Sequence, residues 1–194
     1  KGVMLSYSDT AAAREVKGTV QRRGLCGDVF LESVPEGARI VDSRVSTSVG
    51  RGRIAIDAAL EGIEPGPRRL LAARVLEGRR VVVEFASEPF RTADLTGGRI
   101  AFDGPFAPER LWDTHTPGNL LLLELALKTP KGEVLDTAYP IRFGFREFTV
   151  DGRDFLLNGK RTHLIAVPLD LAQIGAATAT REAARESLGR LKEI

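Results

Sequence analysis

From about residue 38 the chain repeats one pattern: short apolar-rich runs, several of them alternating with polar positions, each broken by glycine or proline. In the run from Arg53 to Gly62, Ile54, Ile56, Ala58 and Leu60 alternate with Arg53, Asp57 and Glu61, although Ala55 and Ala59 soften the contrast. A period of two is that of a half-buried strand, whose successive side chains point to opposite faces. Comparable runs begin at Ala38, Arg68, Arg79, Gly98, Asn119 and Lys131. They make about seven candidate strands at roughly ten-residue spacing, the pattern of an antiparallel β-sandwich. "NLLLLELALK" has the composition of a helix, but Thr129-Pro130 stops it after about ten residues, and its neighbours place it among the strands.

After Phe148 the pattern changes. Asp151-Gly152 and Asn158-Gly159 each predict a tight type I′ hairpin turn, for which these dipeptides supply the positive φ. "THLIAVPL" is a continuous apolar run, as in a strand buried on both faces. Further on, Thr180 reads as a helix N-cap with Glu182 in the first turn, followed by Ala184, Leu188 and Leu191 on one stripe. Strand, loop and helix in that order are the first half of a βαβ unit, whose parallel partner strand must come from further sequence. The chain begins at Lys1 without an apolar leader and stops inside a helical pattern, so both ends read as internal to a longer protein.

Composition narrows the function. Hydrophobic residues make up 43% of the 194, enough for a packed core. The formal net charge is +2 and the arginines are scattered rather than gathered on one face among aromatics, so no nucleic-acid partner is expected. No run of about 18 apolar residues occurs, so no membrane-spanning helix is expected. The one cysteine, Cys26, cannot form an internal disulfide, and it reads as a buried structural thiol because a catalytic one needs a histidine partner, here limited to His115 and His163. Trp112 to His115 ("WDTH") reads as a surface loop, two ligand types being too few for a metal site, and no metal or cofactor is expected. Trp112 itself reads as a packing anchor at a sandwich edge. "GRDFLLNGKR" fails as a phosphate loop, with six residues between Gly152 and Gly159 and Arg161 where the motif needs Ser or Thr.

Four motifs in order carry a family resemblance. They are Trp112 with Pro117, the strand from Leu121 to Leu127, Gly144-Phe145-Arg146, and Leu157-Asn158-Gly159-Lys160. Upstream, "RRGLCGDVFLES" is similar to the "GIWRDVYLE" segment that ends a jelly-roll sugar-binding domain. Together they resemble glycoside hydrolase family 2, the β-galactosidase and β-glucuronidase superfamily, over nearly the whole chain from about Arg22. The resemblance implies three regions: residues 1–34 as the end of the jelly roll, 35–148 as an immunoglobulin-like β-sandwich, and 149–194 as the first β-strand and α-helix of a (β/α)8 barrel.

It also implies what the chain does. In such enzymes the sandwich is a non-catalytic accessory domain that props the barrel and shares in domain or homo-oligomer packing. The parent hydrolyses glycosidic bonds, so carbohydrate is met through the parent, and the barrel and jelly roll are the sandwich's partners. The two catalytic glutamates of the family stand on later barrel strands, beyond Ile194. Retaining glycosidases need both carboxylates, about 5–5.5 Å apart, so this chain by itself is not expected to hydrolyse glycosides by that mechanism, and whether it is part of an active enzyme stays open. Where the family's first barrel strand has Arg and Asn, this chain has Ile165 and Pro168. Asp170 is the one substrate-binding candidate, at the strand's C-terminal end where barrel enzymes place their chemistry. The alternatives are a stand-alone immunoglobulin-like binding module and a catalytically inactive carbohydrate-binding homologue.

Overall fold

The computed structural model describes residues 2–7, 13–18, 29, 31, 33–164 and 180–193. The chain divides into two compact units, Glu32–Leu164 and the remainder. Outside the larger unit, strands β1 (Gly2–Tyr7) and β2 (Ala13–Gly18) pair as an antiparallel hairpin. Helix α1 spans Arg181–Lys192, and the Thr180 hydroxyl caps it by accepting from the Ala183 N–H at 3.2 Å, as its sequence position predicts. Leu188 and Leu191 on its stripe are exposed. No helix among the described residues is long and apolar enough to cross a membrane.

The larger unit contains an immunoglobulin-like sandwich of two antiparallel sheets. One sheet has the order β3-β4-β7, formed by Arg39–Ser48, Arg53–Glu61 and Arg99–Pro105. The other places β5 (Leu70–Glu77) between β6 (Arg80–Ala86) and β8 (Leu121–Lys128). The chain therefore changes layer after β4, after β6 and after β7.

Alternation decides the core. Ile54, Ile56, Ala58 and Leu60 on β4 are buried, and they face Leu71, Ala73 and Val75 of β5 together with Leu121, Leu123, Leu125 and Leu127 of β8 in one cluster. Burying such a side chain contributes about 1.5–3 kcal/mol, so the leucines of "NLLLLELALK" act as a strand's inner row. The β5–β6 register shifts between Val75 and Leu76, where Val82 of β6 is the extra residue; Val75 belongs to the core cluster, and Leu76 is buried outside it. The outer faces explain the scattered arginines. Arg74 bridges Glu84 and Glu124 on the two neighbouring strands, and Arg99 bridges Asp57 and Asp42 on the other sheet.

The last predicted strand of the sandwich is two. β9 (Val134–Thr137) pairs with the C-terminal end of β8, and β10 (Ile141–Phe143) pairs with its N-terminal end. Between them lies Pro140, which has no N–H to offer the ladder. Asp136 on β9 accepts the Ile40 N–H of β3 at 2.7 Å, closing that end of the sandwich.

Past the sandwich the chain forms a three-stranded meander of β11 (Phe148–Asp151), β12 (Asp154–Leu157) and β13 (Lys160–Thr162). The second turn is as expected, with Asn158 at φ +52 and Gly159 at φ +77. The first differs. Asp151 pairs with Asp154, so Gly152 and Arg153 are the central residues, and only Gly152 has positive φ. That is the II′ pattern, in which the turn needs glycine at its first central position alone. Most of the run "THLIAVPL" lies outside the described residues.

Candidate functional site

Asp170 and Cys26 lie outside the described residues. Trp112 and His115, which the sequence places together, part company in space. His115 is exposed in a turn where the Asp113 carboxylate accepts the His115 N–H at 3.2 Å and the Thr114 hydroxyl at 3.1 Å. Those bonds hold Asp113 below the usual carboxylate range. No three His, Cys, Asp or Glu side chains come together among the described residues.

Trp112 turns instead towards the point where the chain leaves the sandwich. Its backbone N–H donates to the Phe145 carbonyl at 3.0 Å, and the Arg146 guanidinium sits 4.5 Å from its ring centre. Gly144 is required there: a Cβ at that position would meet the Trp112 side chain at 2.4 Å. Phe145 points the other way and is buried, edge-on to Phe106 with centroids 5.4 Å apart. In "FGFR", then, one aromatic enters the core, the glycine makes room for the indole, and the arginine covers it.

The meander is bonded to the same place. The Asn158 side chain donates to the Trp112 carbonyl at 2.9 Å and accepts the Glu147 N–H at 2.9 Å, while its own N–H donates to the Glu147 carbonyl at 2.8 Å. Glu147 reaches back to the first hairpin of the sandwich, accepting the Ser48 hydroxyl at 2.7 Å and the Gly50 N–H at 3.0 Å. These bonds, the hydroxyl's first, hold its carboxyl below the ordinary range. Thr47 adds a hydroxyl bond to the Arg146 carbonyl. The sequence reading missed Glu147 and the side-chain role of Asn158. The signal available was the Gly-Phe-Arg-Glu run ten or so residues before an Asn-Gly turn, which does not reveal its partners.

Two acidic groups near the surface, Glu77 and Asp103, are tied to arginines. Glu77 is lowered by Arg110 and then Arg80, and Asp103 by Arg53, both through hydrogen bonds from the guanidinium. Every displaced carboxyl among the described residues is thus displaced downward.

Beside the joint lies an open cleft of about 520 Å³ with Trp112, Leu120, Arg142, Phe143, Arg146 and Phe148 among its walls. Among the described residues no carboxylate lines it. A second cleft, of about 460 Å³, has Glu77 and Glu109 among its walls beside Arg80 and Arg110.

No family model matches the chain. A stretch of 72 residues is 40% identical to the β-galactosidase large subunit of Latilactobacillus sakei, over 36% of this chain and 11% of that protein. Among solved structures, β-glucuronidase 2 of Bacteroides uniformis, covalently bound to cyclophellitol-6-carboxylate aziridine, aligns with a TM-score of 0.54 and 21% identity, over 81% of this chain and 20% of that one. The β-glucuronidase of Ruminococcus gnavus in complex with D-glucuronic acid aligns with a TM-score of 0.45 and 20% identity, over 68% of this chain and 20% of that one. The chain therefore spans 11% of the length of the curated relative and 20% of each of these two solved structures.

Proposed function

We propose, for a chain that belongs to glycoside hydrolase family 2, that residues 35–148 are a non-catalytic accessory domain within a longer glycosidase. Residues 1–34 are read as the end of a jelly-roll domain and residues 149–194 as the entry to a catalytic barrel, with Asp170 as a substrate contact there. The carrying observation is one of proportion. The likeness to a β-glucuronidase takes in 81% of this chain but 20% of that one.

In this role the sandwich supplies a rigid base, and the joint at Trp112, Glu147 and Asn158 fixes the direction in which the chain leaves it. The deciding experiment assays the 194-residue chain and the product of its complete open reading frame on aryl β-galactosides and β-glucuronides. The longer protein is expected to release the aryl group and the chain alone to release none. Hydrolysis by the chain alone overturns the non-catalytic role. An open reading frame that adds no barrel leaves the stand-alone binding module in its place.

A further inference from the structure

In the run from Arg142 to Arg146 the side chains divide. Phe143 packs against the core cluster and Phe145 lies within it, while Arg142 and Arg146 are exposed on either side of Gly144. The space that a side chain at Gly144 would take is filled by the Trp112 indole. Arg142, Gly144, Arg146 and Trp112 all line the cleft of about 520 Å³, together with Ser46 and Phe148.

The two arginines are held differently from others on the sandwich. Arg74, Arg80, Arg99 and Arg110 each pair with carboxylates. Neither Arg142 nor Arg146 makes an ion pair or a side-chain hydrogen bond among the described residues, and no carboxylate among those residues lines the cleft. Arg146 is fixed in place all the same. Its backbone N–H and carbonyl both bond the Thr47 hydroxyl, and its guanidinium lies over the indole. A guanidinium held by an aromatic face keeps its planar fork of donors for an anion, and a carboxylate matches that fork with two N–H···O bonds. Fixing the donor beforehand lowers the entropy lost on binding.

The rest of the cleft suits more than a bare anion. The Phe148 side chain and the Ser46 hydroxyl are exposed, so an apolar ring and a neutral hydroxyl stand beside the charged donors. A sugar ring offers the complement, with C–H faces for the aromatic, hydroxyls for the serine and, in a sugar acid, a carboxylate for the guanidinium. An anion the size of acetate would leave most of the cleft empty.

We propose that this cleft binds a saccharide bearing a carboxylate, gripped by the Arg146 fork, with Arg142 supplying a second positive charge and Phe148 a face for the ring. The choice of an acid rests on the two arginines. The choice of a sugar among ring-bearing acids rests on the reading of the chain as part of a glycosidase.

The test is thermal unfolding of the 194-residue chain at constant ionic strength, with glucuronate, glucose, acetate and benzoate as probes. Arg142→Glu is the variant, because that side chain is exposed and unbonded; without ligand its midpoint is expected within about 1 °C of the parent chain's. Glucuronate is expected to half-saturate the site at about 1 mM. At about ten times that concentration it is expected to raise the midpoint by about 4 °C. The other three probes at the same concentration are expected to raise it by less than about 1 °C. Arg142→Glu is expected to weaken glucuronate binding about tenfold or more.

No rise with glucuronate overturns the proposal. An equal rise with acetate reduces the cleft to an anion site, an equal rise with benzoate to a site for any ring-bearing acid, and an equal rise with glucose removes the role of the carboxylate; each overturns it. So does a rise undiminished in Arg142→Glu, which puts the ligand elsewhere. If the chain alone lacks a cooperative transition, the same titrations on the product of the complete open reading frame decide, with the Arg142→Glu difference as the readout. Failure of the accessory role shows as hydrolysis by the chain alone and leaves these midpoints as they are, so the two failures are told apart.

Discussion

The sandwich and the meander that follows it are made from the same alternation, and they use it to opposite ends. On β4 and β8 the apolar row turns inward and meets a second sheet, so Ile56 and Leu123 are all but inaccessible. On β11 and β12 the apolar row is just as regular, yet among the described residues no second layer lies over Phe148, Val150 and Phe155. Alternation thus tells which face of a strand is apolar and leaves open what covers it. A small sheet with one bare face does not hold itself together by burial. This one is held by polar bonds at its root, where Asn158 and Glu147 bind it to the sandwich.

That contrast can be broken in order of size. Leu123→Ala removes a fully enclosed side chain between the sheets and is expected to cost about 3 kcal/mol in denaturant unfolding. A loss under about 1 kcal/mol would mean the inner row is not the source of stability. Gly144→Ala is expected to cost about 2 kcal/mol, because the indole it strikes is fixed by backbone and guanidinium contacts and has little freedom to yield. Asn158→Ala is expected to cost about 1–2 kcal/mol, and Asn158→Gly somewhat less, since glycine keeps the left-handed backbone while losing the same two side-chain bonds. Identical losses in the two variants would assign the cost to the bonds alone.

The smallest effect is a pH dependence. Glu147 has a folded pKa below its unfolded value, so its contribution is present above the ordinary carboxylate pKa of about 4.3 and fades as pH falls through the folded value. Glu147→Gln is expected to lower stability at neutral pH and to flatten the acid limb of the midpoint-against-pH curve. An unchanged acid limb would place the proton uptake elsewhere, Glu77 and Asp103 being displaced in the same direction.

Much of this architecture was legible because it depends on neighbours in sequence. Turn residues, period-two runs and the Thr180 cap are local signals, and the strands fall where those signals put them. What escaped depends on distance along the chain. The break at Pro140 needed knowledge that β9 and β10 lie along the same edge of β8. The shift of the first turn by one residue is fixed by the Asp151–Asp154 pairing, and the Asp-Gly dipeptide alone does not specify it. Asn158 reads as a turn former, and its bond to the Trp112 carbonyl spans 46 residues. The site candidates fared differently: Asp170 rests on a family pattern at a position outside the described residues.

Trp112 is the only tryptophan in the chain. Its half-buried indole is capped by a guanidinium and lies where the sandwich, the exit strand and the meander meet. The joint therefore carries its own optical probe. Fraying of the meander or withdrawal of Arg146 admits water to the ring and moves its emission to the red, while a ligand settling in the cleft moves it to the blue, so the joint can be followed without a label.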